Sequence, residues 1–224
     1  MKVKLLKFTN DPEKSCATAA RLCYSAAGID EISKKLTKEK IKDLLGRVIA
    51  SGHHSVLEHA SFSFGIEGVS RALLAQFTRH RLASFSVQSQ RYVKFDKGVD
   101  FVTPATIKKD KKTHSKYNEF LKNIENFYKE LLSSGIPAED ARYILPNAAS
   151  TKIFLTMNVR ELRHFFSLRC CNRAQWEIRA MSIQMLNLAK KAAPLLFSDA
   201  GPDCVRTGCH EDKPCGKPWR KVKK

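Results

Sequence analysis

His59-Ala-Ser-Phe-Ser-Phe-Gly-Ile-Glu67 alternates apolar and polar side chains with period two, the pattern of a strand with one buried face. Gly68 reads as its break, and Ser70 then caps a helix carrying Leu73, Leu74 and Phe77 at helical spacing. A strand running almost directly into a helix is the pivot of the fold. It delivers Arg79, His80 and Arg81 at or just beyond the helix's carboxyl end.

Upstream, Met1–Asn10 reads as a first strand, with charges spread through its apolar residues. Asp11-Pro12 starts a helix with Ala17, Ala20, Cys23 and Tyr24 on its apolar face, and a second helix begins near Thr37. That second stripe is Ile41, Leu44, Leu45, Val48 and Ile49, closed by Gly52. Downstream, Lys108–Lys112 reads as a surface connection, and Tyr117, Phe120, Leu121, Ile124, Phe127, Tyr128, Leu131 and Leu132 give a long amphipathic helix stopped by Gly135 and Pro137. A strand follows at Lys152–Met157, then Asn158 and Glu161 as a capping box opening a helix along Leu162, Phe165 and Phe166. A last helix carries Ile178, Met181, Met185, Leu188 and Ala192, a seam for a core or a subunit interface.

Helices and strands interleave without a repeated strand–helix–strand unit, which predicts an α+β fold with a central antiparallel sheet packed by long helices in one domain. Neither G-x-G-x-x-G nor G-x-x-x-x-G-K-[ST] occurs, so any nucleotide must be held by side chains. At 224 residues and 43% hydrophobic content, the chain is long enough for a substantial core. No stretch approaches the roughly 20 apolar residues needed to cross a bilayer. With seven cysteines, an odd and scattered set, the expectation is a reduced, cytoplasmic protein.

The formal charge of +18 concentrates anions of any kind around the chain, whether nucleic acid, phosphorylated metabolites or polyglutamate. Only part of it sits at the end, where residues 201–224 hold seven Lys/Arg against three Asp/Glu. A solvated lysine-rich surface accounts for Lys108–Lys112 and for the final Arg220 to Lys224. Phe85, Tyr92 and Phe95 interleaved with cations leave a basic nucleic-acid-binding module as the alternative class, although no standard binding signature of that kind is present.

The segment RHRLASFSVQSQRY, Arg79 to Tyr92, has no acidic side chain at all. Cations at a helix carboxyl end are explained by the macrodipole, at about 0.3–1 kcal/mol each. Arg91, ten residues beyond Arg81, is not. Guanidinium forks suit phosphate bidentately and serines add neutral donors, so the run reads either as an anion cradle or as a solvated basic loop.

R-H-R, seven further residues and then serine resembles the signature of flavin-dependent thymidylate synthases, which make dTMP from dUMP with a flavin and methylene-tetrahydrofolate. His53-His-Ser-Val-Leu-Glu-His59, Ala141-Arg-Tyr-Ile-Leu-Pro146, Asn158-Val-Arg-Glu-Leu162 and Leu168-Arg-Cys-Cys-Asn-Arg-Ala-Gln-Trp-Glu-Ile178 fall in that family's order. The resemblance implies the thymidylate synthase complementing fold over 1–200, with 201–224 as a Cys-rich basic tail. It also implies a homotetramer with FAD as cofactor, methylene-tetrahydrofolate and NADPH as co-substrates, and no membrane or nucleic-acid partner. For FAD it implies His53, Ser55, Arg79, His80, Arg81, Val87, Asn158, Arg160 and His164. For dUMP it implies Gln76, Arg79, Val87, Ser89, Gln90, Arg91, Arg142 and Arg169, the last facing the pyrimidine as the catalytic group. Glu58 and His59 brace their loop.

Carbon 5 of uracil is a weak nucleophile, so methylation requires a thiolate added at carbon 6 or more electron density in the ring by other means. Cys170 and Cys171 have no Pro-Cys-His setting, and adjacent helical residues point apart. A guanidinium at Arg169 instead favours the ring as negative charge develops. Ser89 has no evident base in sequence and is assigned to binding. Two positions depart from the family: Ser86-Val87 stands where Asn-Glu is frequent, and His164 replaces a flavin-binding asparagine. In the tail, Cys204, Cys209 and Cys215 are candidate zinc ligands with His210 nearby, but their spacing is looser than paired C-x-x-C. The competing reading is reduced thiols in a flexible segment.

Overall fold

The computed structural model describes residues 1–219; the basic end from Arg220 to Lys224 lies outside the described residues. In chain order the first elements are β1 (Lys2–Phe8), α1 (Pro12–Leu22), α2 (Ile29–Lys35), α3 (Lys38–Ala50), β2 (Ser61–Ser70), α4 (Arg71–Phe77) and β3 (Ala83–Val87). Then come α5 (Ala105–Lys109), α6 (Lys111–Ser133), α7 (Ala138–Ala141), β4 (Ser150–Asn158), α8 (Val159–Arg169), α9 (Trp176–Ala192) and α10 (Pro194–Phe197). The strands form one antiparallel sheet in the order β1-β2-β4-β3, as the α+β reading requires. No helix among the described residues is long and apolar enough to cross a membrane.

The predicted alternation in β2 is real, since Phe62, Phe64 and Ile66 are buried on one face. Gly68 does not end the strand. It lies within β2 at φ 70, a backbone conformation costly for any side chain, and an added Cβ would come within 3.1 Å of the Met1 nitrogen. Ser70 is the true end, and its Oγ accepts the Leu73 N–H at 3.0 Å to cap α4.

The chain divides into two compact units. One comprises Met1–Lys2, Ile66–Arg79 and Ser86–Phe154. Its core gathers Val99, Tyr128, Ala141 and Ala149 with Phe95, Phe101 and Leu131 packed against them. Helix α6 begins earlier than its apolar stripe suggests, because Asp110 within the lysine run accepts the Thr113 N–H at 2.9 Å. Lys108–Lys112 therefore spans the end of α5 and the start of α6, with the chain breaking helix only at Asp110. Leu121 and Tyr128 are buried as expected, whereas Phe120 and Phe127 of the same predicted stripe are exposed.

The other unit comprises Val3–Gly65, His80–Phe85 and the chain from Leu155 onward. Here α1 packs on α3, α8 on α9, and α10 on α9 and α3. Phe62 stacks on Phe8 with centroids 5.6 Å apart and meets the edge of Phe197 at 5.4 Å. Burying each such ring contributes about 1.5–3 kcal/mol. Ile178, Met181 and Met185 are fully buried, so the α9 seam belongs to the chain's own core.

Other expectations need correction. Asp11 starts α1 from φ 44 without a side-chain cap, and Cys23 and Tyr24 are exposed, whereas Ala17 and Ala20 are buried as expected and Cys16 joins them in the core. Helix α2 and strand β3 were not foreseen. The expected flexible tail is instead folded on the turn after α8, where Asn172 Nδ2 donates to the Lys217 carbonyl at 2.6 Å and Arg173 reaches both Glu211 and the Lys213 carbonyl.

Candidate active site

In the unit containing α8, the Asn158 Oδ1 accepts the Glu161 N–H at 2.8 Å and fixes the helix start. The capping box is only half formed, because the Glu161 carboxylate turns to His80 Nδ1 at 3.1 Å. On the other side of the ring, Arg169 Nε donates to His80 Nε2 at 3.0 Å. A guanidinium has no acceptor, so Nε2 must be unprotonated and Nδ1 must carry the proton donated to Glu161. Both ring nitrogens of His80 are thus engaged inside the protein.

His80 is 5% exposed, with its ring edge-to-face on Phe165 at 4.9 Å and His164 at 6.1 Å. Burial first, then the Arg169 charge and His164, push its pKa down to about 4. Burial also raises the Glu161 pKa, against a smaller lowering by His164. The three side chains come from the segment after α4 and from both ends of α8, residues 161 and 169 lying two helical turns apart.

A cavity of about 510 Å³ beside this array is lined by His54, Arg160, Glu161, Arg163, His164 and Arg206, together with Leu82 and Ser167. Among the flavin candidates of this unit, Arg160 and His164 line it, whereas His53, Ser55, Arg81 and Asn158 do not. His53 and Ser55 are exposed at the start of the 3-10 turn His54–His59, and Arg81 is exposed. Arg160 pairs with Glu58 at 2.5 Å. His54, Arg163 and Arg206 escaped the sequence reading. Burial, with Arg163, Arg206 and Arg160 nearby, holds the His54 pKa down despite its bond to the Ile49 carbonyl. The Nε atoms of Arg163 and Arg206 are buried without a hydrogen-bond partner.

In the unit containing α6, Gln76 sits on α4 and Arg79 is exposed just beyond it. Val87 closes β3, so the departure at Ser86-Val87 falls on a strand and not in a loop. Ser89 Oγ accepts the N–H groups of Arg91 and Tyr92 at 3.1 and 3.3 Å, folding a turn that leaves Gln90 half-buried. Arg91 is not uncompensated, since its Nε donates to Glu139 Oε2 at 2.6 Å. Arg142 Nε donates to the Glu139 carbonyl at 2.9 Å.

Arg71 joins this group unforeseen. Its guanidinium donates to the Gln88 carbonyl at 2.6 Å while its Nε is buried without a partner. Burial and the Arg142 charge lower its pKa. A cation in the first turn of a helix opposes the macrodipole, and that anomaly at position 71 was the signal in the sequence.

The cysteines fall outside both groups. Burial pushes the Cys170 thiol up to about 12, so it is a protonated core residue and no nucleophile. Cys204, Cys209 and Cys215 line a separate cavity of about 220 Å³ with Trp219 and Leu168. Among the described residues, no three or more His, Cys, Asp or Glu are grouped to hold a metal ion. The Cys204 and Cys215 sulfurs instead accept the N–H groups of Trp219 and Lys217, each at 3.4 Å.

Residues 4–195 match the family described as Thymidylate synthase complementing protein. A flavin-dependent thymidylate synthase of Geobacter sulfurreducens is 52% identical over 97% of this chain and 94% of its own length. Relatives of the same name from Clostridium tetani and Pyrococcus furiosus are 46% and 40% identical, over 97% and 99% of this chain and 94% and 98% of their own lengths. With likeness this extensive, the chain belongs to the flavin-dependent thymidylate synthase family of methyltransferases.

Proposed function

We propose that the protein converts dUMP to dTMP by reductive methylation, with methylene-tetrahydrofolate as carbon donor, FAD as hydride carrier and NADPH as the reductant that restores the flavin. It works in the cytoplasm as a homotetramer, with the body over 1–200 carrying the reaction and 201–224 appended to it as a segment that adds Arg206 to the cavity beside α8. The near full-length identity to relatives of that name carries this reading.

The residues suit the groups they would hold. Arg71, Arg142 and Arg91 supply charge for the dUMP phosphate, and the unpartnered Arg71 Nε marks capacity for an anion that protein atoms leave unfilled. Gln76, Arg79, Val87, Ser89 and Gln90 complete the nucleotide contacts. FAD is polyanionic, and the cavity lined by Arg160, His164 and Arg206, with the buried Arg206 Nε unpartnered, suits its pyrophosphate. His53, Ser55, Arg79, His80, Arg81, Val87 and Asn158 are the remaining flavin contacts. When bound, reduced FAD supplies the hydride that completes the methyl group. Arg169 stabilises the negative charge that grows on the pyrimidine imide, which raises electron density at carbon 5 without a thiolate. Neutral His80 next to it adds no competing cation.

Purified protein should carry oxidised flavin absorbance and release tritium from carbon-5-labelled dUMP when methylene-tetrahydrofolate and NADPH are present. Tight RNA binding without flavin or tritium release would sink the proposal.

A further inference from the structure

In the Glu161–His80–Arg169 array, the two groups behind the half-buried guanidinium are buried. Glu161 and His80 are 6% and 5% exposed, and a carboxylate at that depth is costly unless it is hydrogen-bonded, as this one is to His80 Nδ1. What a carboxylate does here is accept and never donate. It therefore selects the imidazole tautomer with the proton on Nδ1 and leaves Nε2 as an acceptor for Arg169. With the opposite tautomer, Nε2–H and the Arg169 Nε–H would face each other as two donors. His164 and Phe165 from α8 wall the ring on its other sides, and neither takes a ring nitrogen from it.

We infer that Glu161 is a positioning residue for Arg169, setting the rotation of its guanidinium through the His80 tautomer. This rests on the reading that Arg169 faces the pyrimidine. His80 is the intermediate in the relay, and with both nitrogens engaged it meets any ligand through its ring surface or through Arg169.

The test compares Glu161→Gln in the unsubstituted and the Arg169→Ala backgrounds, measuring kcat, KM for dUMP, dUMP affinity and flavin content. An amide both accepts and donates, so Glu161→Gln loses the tautomer selection while keeping shape. The expected result is a fall in kcat of about tenfold, comparable to losing an outer partner of a functional group. No further loss of kcat per bound flavin appears when Arg169 is already alanine. Equal losses in both backgrounds sink the positioning role alone. An Arg169→Ala protein with unchanged turnover and dUMP affinity sinks the assignment of Arg169 and this inference with it. Independently of any variant's folding, 15N-histidine spectra of the unsubstituted full chain near pH 7, with and without flavin, should show His80 protonated on Nδ1 only. A proton on Nε2 overturns the inference.

Discussion

The Arg71 guanidinium donates to the Gln88 carbonyl at 2.6 Å, yet its Nε stays buried and unpartnered beside a second cation, Arg142. A charge-assisted hydrogen bond is worth about 1.5–3 kcal/mol. Arg71→Gln is therefore expected to weaken dUMP binding by about ten- to a hundredfold while leaving affinity for uridine, which lacks the phosphate, unaltered. Calorimetric titration of both ligands checks this, and equal loss for the two would remove Arg71 from the phosphate contacts.

His80 predicts a pH dependence of stability with a defined sign. Its pKa is about 4 in the folded chain against an ordinary value near 6.5, so the unfolded chain binds more protons between those limits. Stability contributed by the neutral ring is present above about pH 6.5 and is lost as pH falls towards 4. Glu161, whose pKa is raised, pulls the opposite way over its own range. Urea unfolding at pH 7 and pH 4.5 should show a larger drop for the unsubstituted protein than for His80→Gln; an equal drop would remove His80 as the cause.

Cys170 should be dispensable for chemistry. Its thiol is fully buried and pushed up to about 12, so Cys170→Ala is expected to keep kcat within about twofold, with any loss appearing as a lower melting temperature. Tritium release by the variant measures this, and abolished turnover in a folded, flavin-loaded protein would reinstate a thiolate mechanism.

Asn158 caps α8, and Asn158→Ala should destabilise the protein by about 1 kcal/mol. Asn158→Asp keeps the cap acceptor but places a carboxylate where a flavin contact is proposed. It should therefore retain the melting temperature and lose flavin content. Parallel loss of both quantities in both variants would reduce Asn158 to a cap alone.

Much of the architecture could be read from short-range pattern. Period-two alternation found β2, the 3.6-residue stripes found α3, α6 and α9, and the caps at Thr37, Ser70 and Asn158 marked three helix starts. What escaped was set by distant partners. β3, an edge strand, alternates over only five residues, Ala83-Ser-Phe-Ser-Val87, too short a run to stand out within the basic segment, and Gly68 reads as a stop although β2 continues through it to Ser70 with the Met1 backbone close by. Glu161 looked like a capping-box carboxylate because its true partner lies 81 residues away in sequence. Arg91 looked unpaired because Glu139 approaches from α7. The motif residues were legible; the groups that orient them were not.

Trp219 is one of two tryptophans in the chain; its indole lies over Gly201 and its main-chain N–H reaches the Cys204 sulfur at 3.4 Å. An indole in a partly apolar niche is a built-in optical probe, blue-shifted by enclosure. Lifting the tail from the turn after α8 would move that emission to the red, so the state of the tail up to Trp219 can be followed by light, without any label.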